Sequence, residues 1–170
     1  LYLVVRHPEP LQPLFAVEPE LTAYPVHEYL AGAREVEVDI RIGAGELRVS
    51  DLEDATRIVE GSLDYPTRFG RAPSVSYRVT GERGHLSLTS RSHAGWVVIP
   101  FAGSSGGEYW QVRLSRRVPL RLDLEAGATS SYLDLSQLQL QELRLRGGAG
   151  RAEIWFPVEG GRMRATVDGG

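Results

Sequence analysis

Displaced by twenty-one residues, the second half of this chain falls on itself: Leu122 on Leu143, Leu124 on Leu145, Gly127 on Gly148, Leu133 on Ile154 and Leu135 on Phe156. A third, partial copy follows one residue late, with Ala165 after Leu143 and Val167 after Leu145. An earlier relative runs from Val38 to Val49, and its Gly43-Ala44-Gly45 matches Gly148-Ala149-Gly150. A period of this length is too short for a propeller blade and suits one coil of a solenoid.

Within each copy the apolar residues alternate, as in Val36, Val38, Ile40 and Ile42 and again in Trp110, Val112 and Leu114. Alternation by two is the signature of strands with one buried side. The repeat therefore predicts an all-β, single-domain β-solenoid with coils of about 21 residues and Gly-Ala-Gly corners. Alternate leucines stack inside, roughly 4.8 Å from coil to coil, while Arg121, Asp123, Arg144 and Arg146 face water. The alternative is an antiparallel β-sandwich, whose hairpins would not require side chains to match at a fixed offset. Helical spacing is tolerated only in two short windows, Glu28 to Arg34 and Asp51 to Val59.

Five of the ten prolines fall between Pro8 and Pro25, and such density describes a stiff, extended spacer. We expect residues 1–25 to be that spacer, following a membrane segment that has been removed, and residues 26–170 to be the solenoid domain. The apolar run Leu1 to Val5 is too short to span a bilayer.

With 170 residues, 42% of them hydrophobic, the chain has the material for a conventional core, so a staple is unnecessary. It has no cysteine, which removes disulfides, thiolate metal sites and cysteine nucleophiles. All nineteen basic residues are arginine, and asparagine is absent as well. Without lysine there is no P-loop lysine and no Schiff base, and without asparagine no N-glycosylation acceptor. The net charge is -3 with signs interspersed, unlike the basic footprint of a nucleic-acid binder.

Gly103-Ser104-Ser105-Gly106-Gly107 satisfies G-x-S-x-G. A nucleophile elbow, however, joins a strand to a helix and has its histidine later in the chain. Here the strand-like Tyr109 to Leu114 follows, and all four histidines (His7, His27, His85, His93) come earlier. The loop reads as a glycine-serine hairpin. The histidines are scattered, and acidic pairs such as Asp51 with Glu53 and Asp123 with Glu125 sit where alternation makes a solvated face. We expect no catalytic residue, no metal and no cofactor. Trp110 shares parity with Val112 and Leu114 and belongs to the core. Tyr109 and Trp155 have the opposite parity and are expected at the surface, where aromatic rings stack on sugars or partner side chains.

Three stretches, VDIRIGAGELRVSDL (38–52), WQVRLSRRVPLRLDLEAGATSSYLDLSQL (110–138) and LRLRGGAGRAEIWFP (143–157), carry a family resemblance. Their order resembles the Toastrack-type domain of LiaF-like, cell-wall-active antibiotics response proteins, over about Val26 to Pro157. The resemblance implies a non-enzymatic, membrane-tethered module of the bacterial cell envelope, linked to the envelope stress response. Its partners would be proteins or envelope components rather than nucleic acid, and it would meet a membrane only through a tether absent from this chain. One departure is Glu125-Ala126-Gly127-Ala128-Thr129, where a full Gly-Ala-Gly is expected.

Two further functions stay open at this level. One is a carbohydrate- or ligand-binding module using exposed aromatics, and the other is a serine hydrolase centred on Ser105. A solenoid also leaves unpaired backbone groups on its last coil. Ala165, Thr166 and Val167 are therefore expected to form an edge strand able to take on a strand from a partner, or from a second copy to give a homo-oligomer.

Overall fold

The computed structural model describes residues 20–67, 70–91, 107–157 and 163–169. Among them are eleven strands: β1 (Leu21–Thr22), β2 (Pro25–Tyr29), β3 (Glu35–Leu52), β4 (Arg57–Pro66), β5 (Ser74–Thr80), β6 (Arg83–Thr89), β7 (Glu108–Ser115), β8 (Leu120–Asp134), β9 (Leu140–Gly147), β10 (Arg151–Trp155) and β11 (Arg164–Gly169). His7, His93, Trp96 and Ser105 lie outside the described residues.

The strands stack as a β-solenoid of two walls, and β3 and β8 run through both. On the first wall, β6, the start of β3, the start of β8, β9 and β11 pair parallel in that order, with β5 antiparallel on the outer edge of β6. On the second wall, β7, the end of β3, the end of β8 and β10 pair parallel. Beyond β7 comes β4, antiparallel, which carries β2 and β1. The coil that comes first in sequence is thus central in the stack, and later coils add on both sides of it.

The offsets read from the sequence are the pairing register. Leu122 and Leu124 of β8 lie opposite Leu143 and Leu145 of β9, Leu133 lies opposite Ile154, and Ala165 and Val167 lie opposite Leu143 and Leu145. Two apolar rows therefore cross the first wall: Leu86, Val38, Leu122 and Leu143, then Leu88, Ile40, Leu124 and Leu145, all of them buried. Each such leucine or isoleucine withdrawn from water contributes about 1.5–3 kcal/mol, so these rows are the main support of the stack. Trp110 is buried on the second wall between Leu63 and Leu47.

Where β3 and β8 pass from one wall to the other, their backbones come into contact. A Cβ on Gly127 would stand 2.2 Å from the carbonyl oxygen of Gly43. Gly45, at φ +136, has no room either, because a Cβ there would meet the Glu108 oxygen at 2.0 Å. In β8 the position matching Gly45 and Gly150 is Thr129, which is buried. The departure from Gly-Ala-Gly thus leaves the coil in register.

Neither window that tolerated helical spacing is helical. Glu28 and Tyr29 end β2, and the chain then turns at Ala31 (φ 49) and Gly32 (φ 85), a left-handed pair that no α-helix contains. Asp51 and Leu52 end β3, and Asp54 forms the following turn by accepting from the Thr56 amide at 2.8 Å and hydroxyl at 2.7 Å. Local side-chain bonds of this kind favour a turn over a helix. Paired structure begins at Leu21, inside the proline-rich stretch, with Leu21 opposite Pro66 and Thr22 opposite Tyr65. Among the described residues, no helix is long and apolar enough to cross a membrane.

Candidate functional site

The outer surface of the second wall carries a row of aromatic and charged side chains. Strand alternation turns Tyr109 of β7 outward because its neighbour Trp110 is buried. On β3 the outward pair is Glu46 and Arg48, and on β8 it is Tyr132. The register sets Arg48 opposite Tyr132 and Glu46 opposite Tyr109. The Arg48 guanidinium carbon lies 5.8 Å from the Tyr109 ring centroid and 5.3 Å from that of Tyr132, within cation–π range of both.

This arginine is also held from its own strand. Its Nε donates to Glu46 Oε1 at 2.5 Å, and that bonded carboxylate raises the guanidinium pKa above its ordinary value. Gln111 Nε2 donates to the Tyr109 hydroxyl at 2.9 Å. Tyr109 is accordingly half-buried by its neighbours.

On β10, Glu153 lies opposite Tyr132 and Trp155 opposite Asp134. Trp155 is 51% exposed. Tyr109 and Trp155, the two surface aromatics expected from parity, therefore stand diagonally on one wall, three strands apart and four residues apart along the strands, a separation of about 20 Å. Arg48 and Tyr132 fill the interval. Sequence reasoning missed both, because only the pairing register brings them beside Tyr109. A flat row of this type suits the apolar face of a sugar ring or an extended peptide.

The second feature is the end of the stack. Among the described residues β11 pairs only with β9, and it is exposed along its whole length. Thr166 lies opposite Arg144, and Ala165 and Val167 continue the two buried apolar rows to the edge. Of the five large apolar side chains exposed among the described residues, Trp155, Phe156 and Val167 belong to this end.

The groups capable of chemistry are arranged differently. His85 lies on the outer first wall with Nε2 3.2 Å from Asp39 and Nδ1 3.9 Å from Glu37, at an open, charged surface. Buried Glu108 accepts from the Ser90 hydroxyl at 2.8 Å. Among the described residues, no group of three or more histidine and carboxylate side chains is placed to hold a metal. A groove of about 540 Å³ opens at the glycine corners, lined by Arg41, Gly43, Ser90, Glu125, Arg146 and Gly148 among others. Arg41 faces Glu125 there at 3.8 Å, and Arg146 is bonded to Asp123.

Comparison with known proteins agrees with this architecture. No curated protein matches the chain. Among solved structures, a protein of Clostridium sporogenes ATCC 15579, described as a "putative cell adhesion protein", superposes with a TM-score of 0.75 at 20% identity. The match covers 89% of this chain and 68% of that one, and it shows a shared fold. The family described as the N-terminal domain of toast_rack, DUF2154, matches residues 18–170. With nearly the whole chain covered and the coil stack as described, this chain belongs to the toast_rack N-terminal domain family.

Proposed function

We propose that the chain is a non-enzymatic interaction or regulatory module of the bacterial cell envelope, tethered at a membrane and coupled to the response to envelope damage. The observation that carries this reading is the concentration of Trp155, Phe156 and Val167 around two strand edges, β10 and β11, that are unpaired among the described residues at one end of the stack. An exposed edge flanked by apolar side chains is a template for β-augmentation. The partner is a protein or an envelope component. The outward charges are largely paired with one another, as in Arg146 with Asp123 and Arg144 with Glu142, so they offer no basic track for nucleic acid. The proline-rich residues ahead of Leu21 serve as the spacer between the tether and the stack, a shorter one than residues 1–25 because Leu21, Thr22 and Pro25 are already paired with β4.

In the source organism, deleting the gene should alter induction of an envelope-damage reporter by a cell-wall-active antibiotic, and restoring the gene should reverse the change. Unaltered induction in the deletion strain would contradict the reading.

The Tyr109, Arg48 and Tyr132 row favours a second reading, that of a glycan-binding surface. It predicts saturable binding of cell-wall glycan fragments, lost in Tyr132→Ala, whereas the first reading predicts that the same variant leaves antibiotic induction intact.

A further inference from the structure

Across the outer surface of the first wall, charge alternates strictly from strand to strand in two columns. One runs Glu37, Arg121, Glu142, Arg164 and the other runs Arg41, Glu125, Arg146, Asp168. Each residue faces the opposite sign on its neighbour, the arrangement that stabilises cross-strand pairs. Among the described residues both columns stop at β11, one on a cation and the other on an anion. A strand that continued them would have to present an acid to Arg164 and a base to Asp168.

β11 itself, reversed, meets that requirement. Its sequence Arg164-Ala165-Thr166-Val167-Asp168 is self-complementary about Thr166. We propose that β11 is a homodimerisation strand, joining antiparallel to the β11 of a second copy of this chain about a two-fold axis that passes midway between the two copies of Thr166. Arg164 then faces the partner's Asp168, and Asp168 faces the partner's Arg164. Ala165 and Val167 face the partner's Val167 and the partner's Ala165, so the buried apolar rows run on into the second stack. Isologous pairing uses the same patch on both subunits, as a two-fold interface must.

Other arrangements fail on the same criteria. A parallel, in-register pair sets Arg164 on the partner's Arg164. A slip of one residue turns one side's apolar positions against the other's polar ones. β10 reversed about its centre sets Glu153 against the partner's Glu153, so β10 is not a self-pairing edge. There is also room. Among the described residues the second wall ends at β10, level with β9 and one strand short of β11, so the described parts of the two second walls do not collide when the β11 strands meet.

This deepens the reading of the open end as an interaction surface, and its test needs no envelope component. Sedimentation equilibrium at low salt is run on the 170-residue chain, on Arg164→Asp, on Asp168→Arg and on an equimolar mixture of the two variants. The parent dimerises. Each variant alone weakens association by about tenfold or more, since both attractive pairs become repulsive. The mixture recovers the parent's affinity. In the mixed pair the introduced aspartate faces the introduced arginine, and native Arg164 faces native Asp168. Thermal unfolding of each variant checks that the stack itself is intact. A parent that stays monomeric to about 100 μM, single variants that associate as tightly as the parent, or a mixture no tighter than its components would each overturn the proposal.

Discussion

Leu145 lies directly on Leu124 in the parallel ladder, both closed to solvent, while Arg144 beside it points outward and meets Glu142 at 2.9 Å. Inside and outside are therefore one residue apart, which makes parity directly measurable.

Leu145→Asp would place an unpaired carboxylate in the apolar row and should cost about 3–5 kcal/mol. Arg144→Gln removes one arm of an exposed ion pair and should cost under about 0.5 kcal/mol. Urea denaturation of the two variants checks the contrast, and equal losses would mean that the two faces are wrongly assigned.

The corners offer a second contrast. Gly127→Ala would drive a methyl group into the Gly43 carbonyl, 2.2 Å away on a neighbouring backbone, and neither strand can move without breaking its ladder. A loss of about 2–4 kcal/mol is expected. A Cβ on Gly147 meets nothing within 4 Å, so Gly147→Ala should change stability by no more than about 0.5 kcal/mol. Similar melting curves for the two would contradict the close stacking of β8 on β3.

Much of this was legible in the sequence because stacked coils need like residues at like positions. Leu122, Leu143 and Ala165 announce their register by recurrence alone. β4 with β1 and β2 beside it, and β5, are antiparallel additions at one end of the stack, beyond β7 and β6. They repeat nothing, so no offset reveals them. The coil formed by β6 and β7 is interrupted between Thr89 and Glu108, which hides its period. Arg48 illustrates a different limit: its alternation marks it as outward, but its place between Tyr109 and Tyr132 comes from pairings between residues distant in sequence.

The N-terminal boundary is a third test. The Leu63 amide donates to the Tyr24 carbonyl at 2.9 Å, and the Thr67 amide donates to the Glu20 carbonyl at 3.0 Å. A chain beginning at Glu20 keeps these bonds and should match the parent in urea. One beginning at Val26 loses them together with β1, and should be less stable by about 2 kcal/mol while still folding. Identical midpoints for the two truncations would show that β1 contributes nothing.

Alkaline pH probes the packing of β5. The Tyr77 hydroxyl donates to the Leu30 carbonyl at 3.0 Å, and burial, aided by the Glu28 charge, pushes its pKa above the ordinary 10.0. The folded state thus holds this proton more tightly than the unfolded state. The resulting stabilisation is whole below pH 10 and is lost as pH rises through the folded value. Tyr77→Phe should flatten that part of the decline between denaturation curves taken at pH 9 and pH 11, and an unchanged slope would place Tyr77 in water.

In the proposed function the stack acts through the surface it presents at its C-terminal end. The direct measurement is antibiotic induction of an envelope-damage reporter in a deletion strain that carries either Trp155→Ser with Val167→Ser or Ser105→Ala, at matched protein levels. The edge variant should lose the response, and Ser105→Ala should keep it. A response that survives the edge variant and fails in Ser105→Ala would mean that the stack does not act through its C-terminal end.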